Sequence, residues 1–521
     1  MTNVMERRRS PRRRCEADAT LTIGTWPRAR TRTVRIEDVS LTGVRLQLPP
    51  DLALEPDARV SLHCPALEEL NPAGVRKLAL EGSVVRGGAA GLARVRFERP
   101  VQEQAELAAS RGSRRAALAA AFVLAGVMCA LKADHLHRFW YSSLIQSYSL
   151  LACGFILTRV ALSAFYREPA DAGYTPSVSL IIAAMNEQDC IAQTVEACLK
   201  SRYPAGLMEI IVVDDGSTDL TWERVLPLRL EHENLNLIGF EKNRGKRHAM
   251  AAGIAAAKGE ILLFVDSDSA PEPDGVYRLM QALADPEVGA ASGHIVARID
   301  ESNVISKMES IRYYVGHRFI KASESLFGAV TCCPGPFSAY RREIVLKILD
   351  GWLNQTFMGV PATFGDDRSL TLRVLKDYRV VFHAGAVCRT NVPPTWRQFF
   401  KQQLRWKKSW MRELPFACRL MLTEHPAAAV AYYAGALITL LSPIVLFYSL
   451  FYMPLMESAH PLNYVFGFVL SYLCLSLVCY FQTGTPYWYY GPFFGAVYAS
   501  VLVWQNYYAL LTIHKNKWGT R

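Results

Sequence analysis

Apolar residues are bunched in two parts of this chain, and that arrangement limits its architectures more than any other feature. Residues 116–131 and 140–165 form one apolar pair, split by a short loop carrying Lys132, His135 and Arg138. Residues 426–453, 462–481 and 487–513 form a second group. The 521-residue chain is 51% hydrophobic, yet its mean hydropathy is only +0.09, so the polar remainder is gathered before and between these runs. Most of the runs reach the roughly 20 residues that cross a ~30 Å hydrocarbon core, while the first is short and leans on Arg115. A multidomain, multi-pass membrane protein is expected. Its parts would be residues 1–105, a membrane pair within 106–173, a polar domain at 174–393, interface helices at 394–425 and a membrane and interface region at 426–521.

Charge sets the orientation. About 115 residues precede the first apolar run, which is unlike a secretory signal. Arg111, Arg114 and Arg115 before that run favour a cytoplasmic start, and the second run returns the chain to the cytoplasm at Arg167. The net charge is +11, from 58 basic and 47 acidic residues. Anionic lipid headgroups and nucleotide phosphates account for it more simply than nucleic acid, so no nucleic-acid partner is expected. The 12 cysteines are scattered, and Cys332-Cys333 has no partner pair at metal spacing, which points to reduced packing thiols.

The polar middle alternates strand and helix: strands at 178–183, 209–213, 235–240 and 261–265, helices at 191–201, 220–231 and 248–257. Continuous apolar strands argue for a parallel sheet covered on both faces. In such sheets ligands bind beyond the carboxyl ends of the strands, where Asp214-Asp215-Gly216-Ser217 and Asp266-Ser267-Asp268 fall. An Asp-Asp-Gly-Ser after a strand is also an ordinary turn, and the second cluster can be read as a helix cap before Pro271. Further along stand Gly365-Asp366-Asp367 and Gln402-Gln403-Leu404-Arg405-Trp406. The latter lies in an amphipathic helix at 395–414. There Trp396, Phe399, Phe400, Trp410 and Leu414 share one face, and Arg397, Lys401, Arg405, Lys408 and Arg412 the other, a pattern that suits a membrane interface.

In this order and at these gaps the motifs resemble the family-2 processive glycosyltransferases, which build β-linked polysaccharides from UDP-sugars. The likeness is to hyaluronan synthases and nodulation chitin-oligosaccharide synthases. It is carried by residues 332–410, with Gly335-Pro336, Ala339-Tyr340-Arg341, Phe364-Gly365-Asp366-Asp367-Arg368 and the Gln-Gln-x-Arg-Trp box, and by the closing Trp518-Gly519-Thr520-Arg521. The resemblance implies a GT-A, Rossmann-like α/β domain. Asn186, Glu187, Asp214, Asp215, Lys246, Asp266 and Arg405 would bind the UDP-sugar, with Trp518 and Arg521 as part of a gate over it. Asp266 and Asp268 would hold Mg²⁺ or Mn²⁺ against the diphosphate, because hard oxygen ligands suit these ions. Asp367 would be the base that deprotonates the acceptor, with Asp366 as a supporting carboxylate. Gln402, Gln403 and Trp406 would bind the growing polysaccharide. The gate must be cytoplasmic, so residues 487–513 are expected to lie along the interface or re-enter, leaving four spans.

Residues 1–105 carry six short alternating runs, at 19–23, 33–36, 44–48, 58–63, 77–86 and 92–98, punctuated by Gly and Pro, which suggest a small β-barrel. Ten arginines fall within the first 35 residues. Alone, that run can be read as an electrostatic membrane tether. Together with Asp38-Val39-Ser40-Leu41-Thr42-Gly43 it resembles PilZ domains, in which an Arg-x-x-x-Arg pair and an Asp/Asn-x-Ser-x-x-Gly motif bind cyclic di-GMP. Here the pair is Arg8/Arg12 or Arg9/Arg13, with Asp38, Ser40 and Gly43 as the second element. Guanidinium forks hydrogen-bond phosphate and guanine edges, which suits such a ligand. This implies a bacterial inner-membrane protein with a cytoplasmic catalytic domain and cyclic di-GMP as activator. Membrane lipids, and export proteins in the periplasm or outer membrane, would be its partners.

Two departures bear on the polymer: a PilZ domain is unusual among hyaluronan synthases, and Pro334 stands where that pattern has Ser. GlcNAc, alternating GlcNAc and GlcA, and Glc all remain open as donors. So do a non-processive transferase acting on a lipid or short acceptor, and a cyclic di-GMP receptor whose transferase domain is inactive. Replacing Arg8, Arg9, Arg12 and Arg13 together is expected to abolish cyclic di-GMP binding by calorimetry without altering the membrane segments; retained binding would overturn the arginine assignment.

Overall fold

The computed structural model describes residues 13–23, 30–40, 43–49, 52, 54, 58–63, 79–86, 92–97, 119, 123, 126, 143–457, 462–483 and 485–514. Two compact units divide it, 1–116 and 117–521.

In the first unit, β1 (Arg13–Ile23), β2 (Arg30–Ser40), β3 (Gly43–Gln47), β4 (Arg59–His63), β5 (Ala79–Arg86) and β6 (Leu92–Phe97) close a barrel in the order β1-β2-β3-β6-β5-β4. The period-2 pattern makes this happen: Leu21, Ile36, Leu46, Leu62, Leu80 and Val95 all point inward and are buried. Of the Asp38–Gly43 motif, Asp38 to Ser40 end β2 and Gly43 opens β3, with Ser40 opposite Gly43, and Asp38 lies within 3.6 Å of Arg45 Nε. Arg13 opens β1 opposite Val39, one residue from Asp38. Arg8, Arg9 and Arg12 lie outside the described residues, as do the side chains of Arg13 and Ser40.

The second unit is built on an eight-stranded sheet. Its strands are β7 (Val178–Ala184), β8 (Met208–Asp214), β9 (Leu235–Gly239), β10 (Ile261–Phe264), β11 (Ser269–Pro271), β12 (Val288–Ala297), β13 (Ser338–Arg341) and β14 (Arg379–Thr390), in the order β11-β14-β12-β13-β10-β7-β8-β9. Strands β7, β8 and β10 are apolar and buried almost throughout, so both sheet faces are covered. Helix α1 (Ser143–Ser163) precedes the sheet, and α2 (Ile191–Leu199), α3 (Thr221–Glu231) and α4 (Lys246–Ala256) fill the first crossovers.

The four strands that the sequence pattern marked, β7 to β10, are parallel as it suggested, but the whole sheet is mixed. Strands β10, β7, β8 and β9 are parallel, but β13 runs antiparallel to both β10 and β12, and β11 antiparallel to β14. The physical reason lies in the connection. Helical residues 304–325 carry the chain back after β12 to Ala329, which pairs with Val380 near the start of β14; the chain then runs to the carboxyl edge through residues 332–337 and enters β13 from there, with Ser338 opposite Phe264. That reversal delivers Gly335 to the end of β10.

Helices α5 (Gly275–Gln281), α6 (Val304–Val315), α7 (Arg342–Leu353) and α8 (Asp366–Leu375) complete the domain, followed by the long α9 (Trp396–Glu424). The helices α10 (Pro426–Phe447), α11 (Leu462–Thr483), α12 (Tyr490–Val497) and α13 (Gln505–Leu511) end the chain as described. Among the described residues one helix, Pro426–Met456, is long and apolar enough to cross a membrane. Its exposed residues are apolar, including Val430, Leu437, Ile444 and Phe447. The run at 116–131 lies almost entirely outside the described residues.

Gly365 starts α8 in the left-handed region at φ 78°, and a Cβ there would run into Ser409 Oγ. An L side chain in that conformation costs about 1–2 kcal/mol before any clash. Gly365→Ala is therefore expected to lower Tm and to depress transfer, read by thermal unfolding in detergent; an unchanged Tm would contradict this.

Candidate active site

The loops that follow β7 and β8 are tied into one edge. Asn186 sits at φ 55°, and its Oδ1 accepts from Thr218 N at 2.8 Å while its own N donates to Ser217 Oγ at 2.9 Å. Glu187 N donates to Thr221 Oγ1 at 2.7 Å, and the Glu187 carboxylate accepts from Cys190 Sγ at 2.9 Å. Asp214, ending β8, accepts from Ser217 N at 3.1 Å and from the Ser217 hydroxyl. Asp215 is buried and accepts from Arg244 N at 2.7 Å, Gly245 N at 2.9 Å and Asn243 Nδ2 at 3.1 Å. Burial raises the Asp215 pKa, against the pull of the Arg244 and Gly245 N–H groups. The Asp-Asp-Gly-Ser carboxylates therefore hold the Asn243-Arg244-Gly245-Lys246 turn and bring Lys246 to the start of α4.

From there the Lys246 ammonium reaches Asp266, just past β10. Burial works against the charge on Lys246, but Asp266, Asp366 and Asp367 together hold its pKa above the ordinary lysine value. Gly335 abuts the same carboxylate: a Cβ there would lie 2.8 Å from Asp266 Oδ1. Asp268 Oδ1 lies 3.3 Å from Ser269 Oγ and 3.4 Å from Thr390 Oγ1. Among the described residues no three His, Cys, Asp or Glu side chains gather as a metal cluster. Asp266 and Asp268 fit a hard divalent ion as a partial set of oxygen ligands, one that a diphosphate and water would have to complete.

Asp366 and Asp367 open α8, where a helix N-terminus favours negative charge. Their surroundings differ. Asp366 is buried, and its Oδ1 takes a 2.8 Å bond from Arg247 Nε. Asp367 faces the 332–337 loop, with Oδ1 accepting from Arg368 N at 2.8 Å and Oδ2 3.7 Å from Cys332 Sγ. Thr371 docks that loop onto α8 by accepting from Cys333 N at 2.9 Å and donating to Asp367 O at 2.7 Å.

Helix α9 supplies the remaining side. Burial lowers the Arg405 pKa, while Asp266, Asp367, Asp366 and Asp268 all oppose that shift, so one guanidinium answers both carboxylate pairs. Gln402 Oε1 and Gln403 Nε2 are buried without hydrogen-bond partners among the described residues. The Trp406 ring stacks with Arg312 of α6, 4.9 Å from centroid to guanidinium carbon, and Glu309 holds that guanidinium with bonds of 2.7 and 2.8 Å. The charged face of α9 is not uniformly solvated as its periodicity suggested. Lys408 and Arg412 are buried, and Arg412 bonds Phe364 O and lies 3.3 Å from Glu413, because α9 packs this stretch on the start of α8. Trp518 and Arg521 lie outside the described residues.

The structure thus gathers Lys246, Asp266, Asp366, Asp367 and Arg405 around the carboxyl edge of the sheet, and Asn186, Glu187, Asp214 and Asp215 buttress it. Arg247, Arg312, Glu309 and Glu413 were not legible as part of it. Only the adjacency of Arg247 to Lys246 and the i,i+3 spacing of Glu309 and Arg312 hint at them.

A mixed α/β sheet with carboxylates and cations converging beyond its strand ends is the site of a nucleotide-sugar transferase. Residues 179–349 match the family model for glycosyl transferase family 2, and residues 6–111 that for the PilZ domain. The chain thus carries a glycosyl transferase family 2 domain and, before it, a PilZ domain. It is similar to the hyaluronan synthase of Streptococcus pyogenes, with 29% identity over 73% of this chain and 91% of the relative. It is also similar to the N-acetylglucosaminyltransferase of Azorhizobium caulinodans, with 34% identity over 47% of this chain and 62% of the relative. Among solved structures it is similar to a mannosyltransferase, PcManGT from Pyrobaculum calidifontis, in complex with GDP-Man and Mn²⁺. That likeness has 22% identity, 69% of this chain, 99% of that chain and a TM-score of 0.48.

Gly335→Ala is expected to weaken donor use by about tenfold or more, since a methyl pressed on Asp266 must displace it and ~1.4 kcal/mol is a factor of ten. The donor KM of the purified enzyme reads this; an unchanged KM would remove Gly335 from the site.

Proposed function

We propose that the chain is a processive, inverting β-glycosyltransferase that polymerises UDP-sugars into an exopolysaccharide and passes it through its own membrane helices. UDP-GlcNAc is the first candidate donor, with UDP-GlcA and UDP-Glc as further ones. The observation that carries this is the meeting of Asp367, a carboxylate with no ion-pair bond of the kind Asp366 has to Arg247, with Lys246, Arg405 and Asp266 at the strand ends. The similarity to a hyaluronan synthase and an N-acetylglucosaminyltransferase supports the choice of sugars.

In this reading the diphosphate lies against Lys246 and Arg405, with Asp214 and Asp215 holding the loops that frame the nucleotide and Asn186 and Glu187 beside it. Asp266 and Asp268 hold Mg²⁺ or Mn²⁺, which would supply Lewis-acid charge to the diphosphate oxygens. Asp367 takes the proton from an acceptor hydroxyl, whose oxygen attacks the anomeric carbon from the face opposite UDP, so the configuration inverts. The bond to the UDP oxygen breaks with both electrons leaving on UDP, and the cations of Lys246 and Arg405 stabilise that charge. Trp406, backed by Arg312, offers a flat face for the acceptor sugar. Stacking suits a polymer that must slide after each addition, because it holds without fixing register. Gln402 and Gln403 bring unpaired polar atoms for acceptor hydroxyls.

The proposal extends to topology and control. Residues 487–513 lie along the interface or re-enter rather than cross; the bond of Tyr487 OH to Glu301, the 6.2 Å packing of Phe493 on Trp396 and the 2.7 Å bond of Lys407 to Asn506 support this. The tail with Trp518 and Arg521 then emerges in the cytoplasm, and the protein is a multi-pass inner-membrane enzyme. The PilZ barrel binds cyclic di-GMP through its arginines and the Asp38–Gly43 turn and switches synthesis on.

The test is purified protein in lipid vesicles with labelled UDP-GlcNAc, UDP-GlcA and UDP-Glc, singly and paired, with Mg²⁺ or Mn²⁺ and with or without cyclic di-GMP. A high-molecular-mass product that needs the dinucleotide is expected. Asp367→Asn should abolish it while UDP-sugar still binds. Short products only, with every donor pair, would overturn processivity, and loss of binding in the variant would overturn Asp367 as base.

A further inference from the structure

We propose that Arg247 is a positioning residue for the catalytic base, holding Asp366 as an inward anchor so that Asp367 alone faces the acceptor. This rests on the reading of Asp367 as base. Arg247 follows Lys246 in the first turn of α4 and is 3% exposed. Its Nε donates to Asp366 Oδ1 at 2.8 Å, and its Nη1 donates to Trp352 O at 2.8 Å and to Gln355 Oε1 at 3.3 Å. The guanidinium also lies 5.1 Å from the Trp352 ring, and Trp352 Nε1 returns a 3.0 Å bond to Asp366 O.

That mount reaches further. Gln355 Oε1 accepts from Ser369 Oγ in α8 at 2.7 Å, and Gln355 Nε2 donates to Glu413 of α9 at 2.8 Å. Beside Glu413, Arg412 closes on Phe364 O, just before Gly365. The start of α8 is therefore gripped from α4, from the end of α7 and from α9. Successive helix residues point about 100° apart, so pinning Asp366 inward turns Asp367 toward the 332–337 loop. Arg247 also neutralises Asp366, leaving a single open carboxylate at the acceptor side. Because Lys246 and Arg247 are neighbours on one turn, the contact to Asp266 and the mount of the base share one rigid element.

This differs from a merely structural ion pair in what its loss should do. Arg247→Met is expected to lower kcat roughly 100-fold, as a slightly misplaced base does, while UDP binding by calorimetry stays within about threefold. Arg247→Lys keeps the charge and loses the fork, so it should recover about tenfold of that kcat loss. Wild type run in parallel separates the failures: no polymer from wild type defeats the proposed function, not this inference. With wild type active, the inference is overturned by unimpaired kcat in Arg247→Met, or by UDP affinity falling in step with kcat. Should Arg247→Met not fold, Arg247→Lys decides alone: about tenfold lower kcat with unchanged UDP binding supports the inference. In that case unchanged kcat, or failure to fold, overturns it.

Discussion

The buried pair between Arg247 and Asp366 is the contact on which the site's geometry turns. Its side chains are only 4% and 7% exposed, so both charges have left water and depend on each other. Removing one partner of such a pair costs about 3–5 kcal/mol, because the other is left buried and uncompensated. Here the pair is not isolated: Trp352 and Gln355 after α7, Ser369 in α8, and Arg412 and Glu413 in α9 bond to it or to one another around it. These bonds tie the first turn of α8 to three other parts of the chain.

Electrostatics explains why so many charges can share one edge. Asp266, Asp268, Asp366 and Asp367 would repel one another if gathered alone. Lys246, Arg247 and Arg405 interleave with them: Arg247 pairs with Asp366, while Lys246 and Arg405 each answer more than one carboxylate. In the proposed reading a nucleoside diphosphate at this edge would meet cations already oriented, which is the condition for stabilising a leaving group without reorganisation. The reversal at β13 makes the arrangement compact, since it brings Gly335 against Asp266 and Cys332 against Asp367 from the same short loop.

Much of this was legible beforehand. The six barrel strands follow the period-2 pattern and the first seven elements of the transferase sheet appear within a few residues of their expected ends, because apolar periodicity is a local property. Asp214, Asp266 and Asp367 stand at strand and helix ends that local signals already marked. The antiparallel β13 was not legible, since strand direction depends on where the chain returns and not on which residues the strand contains. The burial of Lys408 and Arg412 was missed for the same kind of reason. An amphipathic pattern tells which residues share a face and not what covers that face.

The sequence by itself determined the barrel, the strand–helix alternation, the apolar segments and the order of the acidic motifs, all of which rest on short-range periodicity and residue chemistry. Only the tertiary structure decided which of two adjacent aspartates is anchored and which is open. It also decided that Arg247 bonds Asp366 and that Trp406 is backed by Arg312. Those outcomes depend on contacts between residues far apart in the chain, 119 positions in the Arg247–Asp366 bond, and no local pattern encodes them.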